Sequence, residues 1–223
     1  MPLDKSCKII LKDCMNLKKN ENCLIITDSK LKKIGFELFK NSIKITRKTK
    51  LITIPIPESH GSEPPKEVAR EMLNYDVILL GTTKSLSHTR ARKNASKKGA
   101  RIASMPGITI DMMQRALNVD FNKIKSINKN LIKKLANKNK IRITTKLGTN
   151  IEFNLKGRKW ISDDGIYTKK GAFGNLPAGE IFIAPVEGKT NGTIIADASV
   201  GGLGKADKNI EIIVENGFIK SIS

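Results

Sequence analysis

The chain has 223 residues, of which 39% are hydrophobic and 28% are charged, and its formal net charge at pH 7 is +20. A chain of this length can bury the core of one large or two small domains, and no apolar run approaches the roughly 18 residues that a membrane span needs. The N-terminal residues lack the apolar core of a signal peptide, so we expect a cytoplasmic protein.

The excess of positive charge suggests nucleic acid as a partner, because lysine and arginine neutralise phosphates. The composition argues against this. Of the 41 basic residues, 33 are lysines, they are scattered through every segment, and only 4% of the residues are aromatic. Proteins that recognise nucleic acids favour arginine forks and aromatic platforms. We therefore do not expect nucleic acid as the main partner.

The chain opens with an apolar periodicity of three and four residues, which predicts an amphipathic helix over residues 3–16. The three cysteines lie in this helix and in the strand predicted after it, and their spacing matches no metal-binding or redox motif. Cys7, Cys14 and Cys23 are therefore expected to be core thiols.

Short apolar runs then alternate with helical patterns through the first half of the chain. Continuous apolar runs separated by helices are typical of a parallel sheet that is covered on both faces. We predict a doubly wound α/β domain over residues 1–118. Its strands are expected at 23–27, 51–55, 77–81 and 101–105, and its helices at 30–41, 65–75 and 89–98.

Ligands of such sheets bind at the carboxyl ends of the strands, near a topological switch point. The loop after the third strand, residues 82–92, carries the most polar groups. Its hydroxyls could bind an anion at the N-terminus of the next helix, with arginines in support. Thr89 could equally serve as the N-cap of that helix. The sequence contains no dinucleotide-binding glycine pattern, P-loop or catalytic triad.

A periodic segment over residues 120–138 predicts a long helix, which forms most of a linking segment, 119–139. Beyond it the pattern changes to short strands, which predicts a β-rich domain over residues 140–223. The pair Asn191-Gly192 predicts a tight hairpin turn. The strands are expected at 140–145, 151–155, 181–184, 192–196, 210–214 and 218–223.

Glu180 stands at the junction of a loop and a strand. The loop before it contains Gly171, Gly174, Pro177 and Gly179, which exclude a helix, and the run after it is typical of a strand. A carboxylate among small residues at the start of a strand could be a metal ligand or a general base. It could equally be a solvated strand end.

Several motifs resemble, in the same order, those of the short archaeal and bacterial relatives of aminopeptidase T. These are the thermophilic-type leucyl aminopeptidases, whose fold is similar to that of an iron-dependent dihydroxypyridine dioxygenase. The most specific motif is Asn175-Leu-Pro-Ala-Gly-Glu180, and the resemblance covers nearly the whole chain. The other segments that carry it are 82–92, 105–109, 148–150, 157–158 with 162–163, and 191–193.

This resemblance implies a metal-dependent aminopeptidase that releases N-terminal residues from peptides. It implies a pair of divalent metals, zinc, cobalt or manganese rather than iron, and a homodimer. Only one family ligand maps onto this sequence, Glu180, and no catalytic residue is assigned. The other ligands lie downstream of residue 223, so we expect an incomplete gene product or a natural short form that is inactive alone. The candidate substrate-binding residues are Ser85, Ser87, His88, Arg90 and Asn175.

Two alternatives keep the fold and change the chemistry. The α/β domain could bind a small molecule or serve as an assembly module without catalysis. A mononuclear iron oxygenase would require two histidines and a carboxylate in one site. Because the only histidines, His60 and His88, lie in the first predicted domain, the oxygenase ranks below the peptidase.

Overall fold

The structure is a computed structural model, and it describes residues 2–201 and 203–223. These residues divide into two compact units. The first, here called the parallel unit, comprises the described residues up to Asn128 together with Asp163–Glu180. The second, the antiparallel unit, comprises Lys129–Ser162 and Ile181–Ser223. The parallel unit is therefore discontinuous in sequence.

Six α-helices and fourteen strands are present in the described residues. The first helix continues as a π-helix over Ile9–Cys14, and the third continues as a 3₁₀ turn over Met72–Asn74. The helices are α1 (Pro2–Lys8), α2 (Lys32–Ser42), α3 (Lys66–Glu71), α4 (Arg90–Lys97), α5 (Ile110–Ala116) and α6 (Phe121–Leu135). The strands are β1 (Cys23–Asp28), β2 (Thr49–Ile54), β3 (Val77–Gly81), β4 (Arg101–Ser104), β5 (Lys140–Thr144), β6 (Asn150–Asn154), β7 (Ile161–Asp163), β8 (Phe173–Asn175), β9 (Glu180–Phe182), β10 (Thr190–Ala196), β11 (Ser199–Val200), β12 (Gly204–Lys205), β13 (Ile210–Glu215) and β14 (Phe218–Ile222).

The sheet of the parallel unit has the strand order β2-β1-β3-β4-β8, and all of its neighbouring strands are parallel. Every residue of β1, β3 and β4 is buried. Such strands consist of continuous apolar runs because helices cover both faces of the sheet. The predicted α/β fold class, a parallel sheet followed by a β-rich part, is confirmed.

Alternate residues of β1 supply the cores on the two faces of this sheet. Cys23 and Ile25 belong to one cluster of buried residues, which also includes residues from α1, α2 and α5. Leu24 and Ile26 belong to the other cluster, with residues from α3 and α4. This alternation follows from the two-residue period of a strand. All three cysteines are buried, and burial raises the pKa of each thiol to about 12.

A buried arginine ties the start of β4 to the segment before β1. The Arg101 guanidinium donates to both carboxylate oxygens of Glu21, at 2.9 and 2.8 Å, and to the carbonyl oxygen of Met15 at 3.1 Å. Its side chain is only 8% exposed. Because the carboxylate accepts this fork, the pKa of Glu21 lies below its ordinary value.

The antiparallel unit is built on a sheet with the order β14-β13-β10-β6-β5. The registers place one set of side chains on a single face, and this set is apolar apart from Thr190. Of these residues, Ile151 and Val214 are buried, whereas Ile143 is 47% exposed and Ile222 is 63% exposed. The other members of this face are Ile141, Phe153, Ile194, Ala196, Ile210, Ile212 and Ile219.

The hairpin turn predicted at Asn191-Gly192 is wrong, because both residues lie inside β10 and pair with β6. The glycine is required there for a different reason. A Cβ on Gly192 would lie 2.1 Å from the carbonyl oxygen of Asn150, and its φ is +133°. Gly192 therefore marks a close approach of two backbones. The turn that precedes β10 is formed at Glu187 and Gly188 instead.

Four short strands complete the described structure. β7 pairs with β9 and β11 pairs with β12. The strand predicted over 181–184 is therefore present only as β9, which begins at Glu180 and ends at Phe182. In the part of the chain that the structure describes, no helix has the length and apolar character needed to span a membrane.

Candidate functional site

A polar cleft opens beside the loop that follows β8, within the parallel unit. Its volume is about 380 Å³. Two carboxylates and one amide line it together with three small or apolar residues that lack charge. The lining residues are Asp163, Asn175, Pro177, Ala178, Gly179 and Glu180.

Two glycines of this loop, Gly174 and Gly179, are required for different reasons, the first by close packing and the second by its backbone conformation. A Cβ on Gly174 would lie 2.3 Å from the ring of Tyr167. Gly179 has a φ of +146°, a backbone conformation that favours glycine. Leu176, between them, is buried, and its peptide bond to Pro177 is cis. The motif around Glu180 thus specifies the shape of a loop.

Hydroxyl groups from two neighbouring strand ends meet the amide of Asn175. The hydroxyl of Ser87, in the loop after β3, lies 2.9 Å from the Ser104 hydroxyl at the end of β4 and 3.3 Å from Asn175 Oδ1. Ser87 and Ser104 are buried. Because the carboxyl ends of parallel strands lie at one edge of the sheet, residues distant in sequence converge here.

A buried tyrosine holds the carboxyl group of Asp163 at the edge of the cleft. The hydroxyl oxygen of Tyr167 lies 2.6 Å from Asp163 Oδ1 and 2.6 Å from the carbonyl oxygen of Asn175. Burial raises the pKa of Asp163, and the negative charges of Glu180 and Asp164 raise it further, while the hydrogen bond from Tyr167 lowers it. The pKa of Tyr167 is also raised, mainly by burial.

Glu180, the predicted metal ligand, lines the same cleft and is exposed. Its backbone carbonyl accepts a hydrogen bond of 2.9 Å from the side-chain amide of Asn128, which fixes the start of β9 against α6. Asp163 is the other carboxylate of the cleft. The described residues contain no group of three or more histidine, cysteine, aspartate or glutamate side chains that could hold a metal ion.

The loop after β3 caps helix α4, as one of the two interpretations predicted. Thr89 is the N-cap, and its hydroxyl accepts from the backbone N–H of Arg92 at 3.1 Å. The Glu63 carboxylate accepts from the backbone N–H groups of Arg90 and Ala91, at 2.5 and 3.1 Å. A carboxylate from the preceding loop therefore occupies the N-terminus at which an anion was predicted.

The structure brings two of the five candidate substrate-binding residues together, Ser87 and Asn175. Ser85 supports Ser87, because its hydroxyl accepts from the Ser87 backbone N–H at 3.1 Å. His88 is exposed, and so is the Arg90 guanidinium, whose Nε lies 3.8 Å from the Glu63 carboxylate. Their role in substrate binding stays a prediction.

The topological switch point lies between β1 and β3, because the chain moves outward to β2 on one side and to β4 on the other. The buried carboxylate of Asp28, at the end of β1, accepts hydrogen bonds from the backbone N–H and the hydroxyl of Thr83. Asp28 also accepts from the backbone N–H of Lys30 at 3.0 Å. These contacts satisfy the Asp28 carboxylate at the switch point, and the polar cleft lies at the β8 edge of the sheet.

Sequence patterns did not identify Ser104, Asp163 and Tyr167 as members of this site. Asp163 lies in one of the segments that carry the family resemblance, 162–163, but the resemblance assigns it no role, and Tyr167 lies in a segment without periodicity. A weak signal was present, since an aspartate followed four residues later by a tyrosine precedes the glycine-rich loop. Only the packing of Tyr167 across Gly174 shows why these residues belong together.

The sequence matches the family NicX, described as 2,5-dihydroxypyridine 5,6-dioxygenase, over residues 7–223. Comparison with the curated proteins finds no match. Among solved structures, the chain is similar to the 2,5-dihydroxypyridine dioxygenase from Pseudomonas putida KT2440, with a TM-score of 0.82 and 15% identity, over 99% of this chain and 67% of that one. It is also similar to AmpT from Thermus thermophilus, with a TM-score of 0.65 and 15% identity, over 99% and 70%. At such identities the structural likenesses show the fold alone.

The family match overturns the predicted aminopeptidase T-like identity, and with it the predicted hydrolase and metalloprotease activity. The physical reason lies in what the shared motif encodes. Gly174 makes room for Tyr167 and Gly179 turns the backbone, so the motif around Glu180 describes a loop shape. Two enzymes with the same fold can share such a loop and differ in their reaction. The NicX family depends on iron, so of the predicted cofactors only the general class, a divalent metal, agrees with it.

Proposed function

The chain belongs to the NicX family of 2,5-dihydroxypyridine 5,6-dioxygenases, and we propose that it acts in the oxidative opening of a hydroxylated nitrogen heteroaromatic ring. The family match over residues 7–223 carries this proposal, because it includes every residue that lines the cleft. Within this reaction, we assign to the described residues the binding and orientation of the ring.

The chemistry of the cleft supports such a ligand. A hydroxylated ring has hydrogen-bond donors on its edge and flat apolar faces. Asp163, Asn175 and Glu180 provide acceptors for O–H and N–H groups, while Pro177 and Ala178 provide uncharged surface for a ring face. The cleft volume, about 380 Å³, falls within the roughly 300–1,000 Å³ of small-molecule sites.

The described residues do not fit the iron of the family. A mononuclear iron site of this type uses two histidines and a carboxylate, and no group of three candidate ligands exists among residues 2–201 and 203–223. The two carboxylates of the cleft, Asp163 and Glu180, do not make up such a set. We therefore derive no step through a metal.

Calorimetric titration of the protein with 2,5-dihydroxypyridine tests the proposal. We expect saturable binding with one ligand per chain, and weaker binding of unsubstituted pyridine, which lacks the hydroxyl donors. Glu180→Gln should weaken binding, because it alters an acceptor of the cleft. Glu187→Gln is the matched control, since Glu187 is exposed and lies in the antiparallel unit.

Oxygen consumption by protein supplied with Fe(II) and the same ligand tests the ring-opening part separately. Because the described residues provide no set of iron ligands, we expect no uptake of oxygen and no loss of the ring absorbance, and no release of nitroaniline from leucine p-nitroanilide. Oxygen uptake with loss of the ring absorbance would contradict the assignment of this chain to binding and orientation alone and would leave ring binding intact. Failure to bind the ring at all would contradict the proposal as a whole.

A further inference from the structure

The Tyr167 hydroxyl contacts two acceptors but has only one proton to donate. A phenol hydroxyl has one proton, yet its oxygen lies 2.6 Å from two acceptors, Asp163 Oδ1 and the carbonyl oxygen of Asn175. When Asp163 is ionised, Tyr167 can donate to only one of them. When Asp163 carries a proton on Oδ1, that proton can be donated to Tyr167, whose own proton then reaches Asn175.

We propose that Asp163 accepts a proton from a hydroxyl group of the ring bound in the cleft, and that Tyr167 is the positioning residue that holds Asp163 for this transfer. The inference rests on the proposed function. In the step, the O–H bond of the ligand breaks, its electron pair stays on the ligand oxygen, and a new O–H bond forms on the Asp163 carboxyl group. The ligand becomes an anion and the carboxylate becomes neutral, so total charge is unchanged.

Burial and the two neighbouring carboxylates favour the protonated form of Asp163, while the hydrogen bonds that it accepts from the Tyr167 hydroxyl and from the Asn175 backbone N–H favour the ionised form. Asp163 keeps its contact with the Tyr167 hydroxyl in both states, because it accepts from that hydroxyl when ionised and can donate to it when protonated. The ionisable groups that face Asp163 are Tyr167, Asp164 and Glu180, and none of these is a cation. A carboxylate without a cationic neighbour, at the edge of a cleft, is suited to accept a proton.

The neighbouring carboxylate supplies a contrast. Asp164 does not line the cleft, and its Oδ1 accepts from the backbone N–H of Ile166 at 3.0 Å, so it stabilises the turn after β7. The two aspartates are adjacent in sequence and differ in access to the ligand. Asp164→Asn is therefore the matched control for Asp163→Asn.

The absorbance of bound 2,5-dihydroxypyridine tests the proposal directly, because loss of a ring hydroxyl proton changes the electronic spectrum of the ring. The titration is made without added iron and without oxygen, at a pH at which the free ligand is neutral. Wild type and Asp164→Asn should show the spectrum of the deprotonated ligand. Asp163→Asn should bind the ligand with the spectrum of its neutral form.

Tyr167→Phe tests the positioning role through a pH midpoint rather than through activity. In the free protein Tyr167 donates to ionised Asp163 and lowers its pKa. Removing the hydroxyl should therefore raise the midpoint at which the Asp163 carboxyl titrates, followed by carbon NMR of that group. An unchanged midpoint in a folded Tyr167→Phe variant would refute the positioning role.

The outcomes separate this inference from the function on which it rests. Wild-type protein that binds the ring in its neutral form, or Asp163→Asn that binds it deprotonated, would overturn the inference and leave the proposed function intact. Wild-type protein that does not bind the ring would overturn the proposed function first. Circular dichroism and thermal unfolding of each variant show whether a loss of binding reflects a loss of fold.

Discussion

The parallel unit and the antiparallel unit bury their apolar residues to very different extents. All the buried hydrophobic residues of the described chain lie in the parallel unit except Ile151, Leu155 and Val214. In the parallel unit, helices cover both faces of the sheet. In the antiparallel unit, one face of the sheet is apolar apart from Thr190, and much of this face is in contact with solvent. The two units therefore depend on different interactions for stability.

The chain contains a separate probe for each unit. Cys7, Cys14 and Cys23 are all buried in the parallel unit, and their raised pKa values make them unreactive until that unit opens. The single tryptophan, Trp160, lies in the antiparallel unit. Thiol labelling and tryptophan fluorescence can therefore report the unfolding of the two units independently.

The largest contrast is expected between two isoleucines in comparable strands. Ile25 is completely buried in β1, so Ile25→Ala should lower the free energy of unfolding of the parallel unit by about 2–5 kcal/mol. Ile143 in β5 is 47% exposed, and Ile143→Ala should cost about 1 kcal/mol or less. Urea unfolding followed by thiol labelling and by fluorescence measures both. Equal losses would contradict the difference between the units.

A steric change at Gly192 should destabilise the antiparallel unit and leave the parallel unit unaffected. The reason is that Gly192 packs tightly against the Asn150 backbone. Gly192→Ala places a methyl group against the Asn150 backbone, which should destabilise the antiparallel unit by about 3 kcal/mol. Gly157→Ala is the control, since Gly157 also has a positive φ but has open space around it, and should cost about 1 kcal/mol. Fluorescence of Trp160 measures this difference, while thiol labelling should be unaffected.

An electrostatic change should affect only the parallel unit. Arg101→Met removes the cation from the half-buried Glu21 carboxylate and should cost about 2–3 kcal/mol. Arg115→Met is the control, because Arg115 pairs with Asp111 on the surface of α5. The pKa of Glu21 lies below 4.5 in the folded state, so its contribution is present above pH 4.5 and is lost as pH falls through the lowered value. Glu21→Gln should remove that part of the acid dependence of thiol labelling.

The smallest effect is expected for a surface ion pair of the antiparallel unit. Lys140 Nζ lies 2.8 Å from the Glu152 carboxylate, and both side chains are largely exposed. Solvent and salt screen such pairs, so Lys140→Ala should leave the unfolding followed by Trp160 unchanged. A loss as large as that of Arg101→Met would show that the exposed sheet relies on its surface charges.

An element could be predicted from the sequence when its own residues determine it, and could not when its position depends on residues distant in sequence. The strands β1 and β3 were predicted because burial on both faces makes them continuous apolar runs. β8 was not predicted as part of the parallel sheet, because Phe173–Asn175 contains a glycine and an asparagine and its register depends on β4, far away in sequence. The hairpin turn predicted at Asn191-Gly192 was wrong for a similar reason. Gly192 is required by the close approach of the Asn150 backbone, which is distant in sequence.

The candidate site was predictable only in part. Ser87 was selected from a loop at a strand end, where parallel sheets place their ligands, whereas Asn175 and Glu180 were selected from the motif that carries the family resemblance. Asp163 and Tyr167 were missed, because their relation to Asn175 arises from packing around Gly174 and not from spacing in sequence. The activity was mistaken because the clearest motif encodes a loop conformation, which two reactions can share.

The last strand of the parallel sheet, β8, is made only after much of the antiparallel unit, and this order matters during synthesis of the chain. β4 ends at Ser104, and its outer neighbour β8 begins only at Phe173. At the roughly 5–20 residues per second of translation, β4 waits several seconds as an edge strand of the nascent sheet. An open edge can pair with the wrong strand during that interval. Most residues that line the cleft lie in or after β8. The cleft is therefore among the last features of the parallel unit to be made, and a nascent chain that stops before β8 has a sheet but no site.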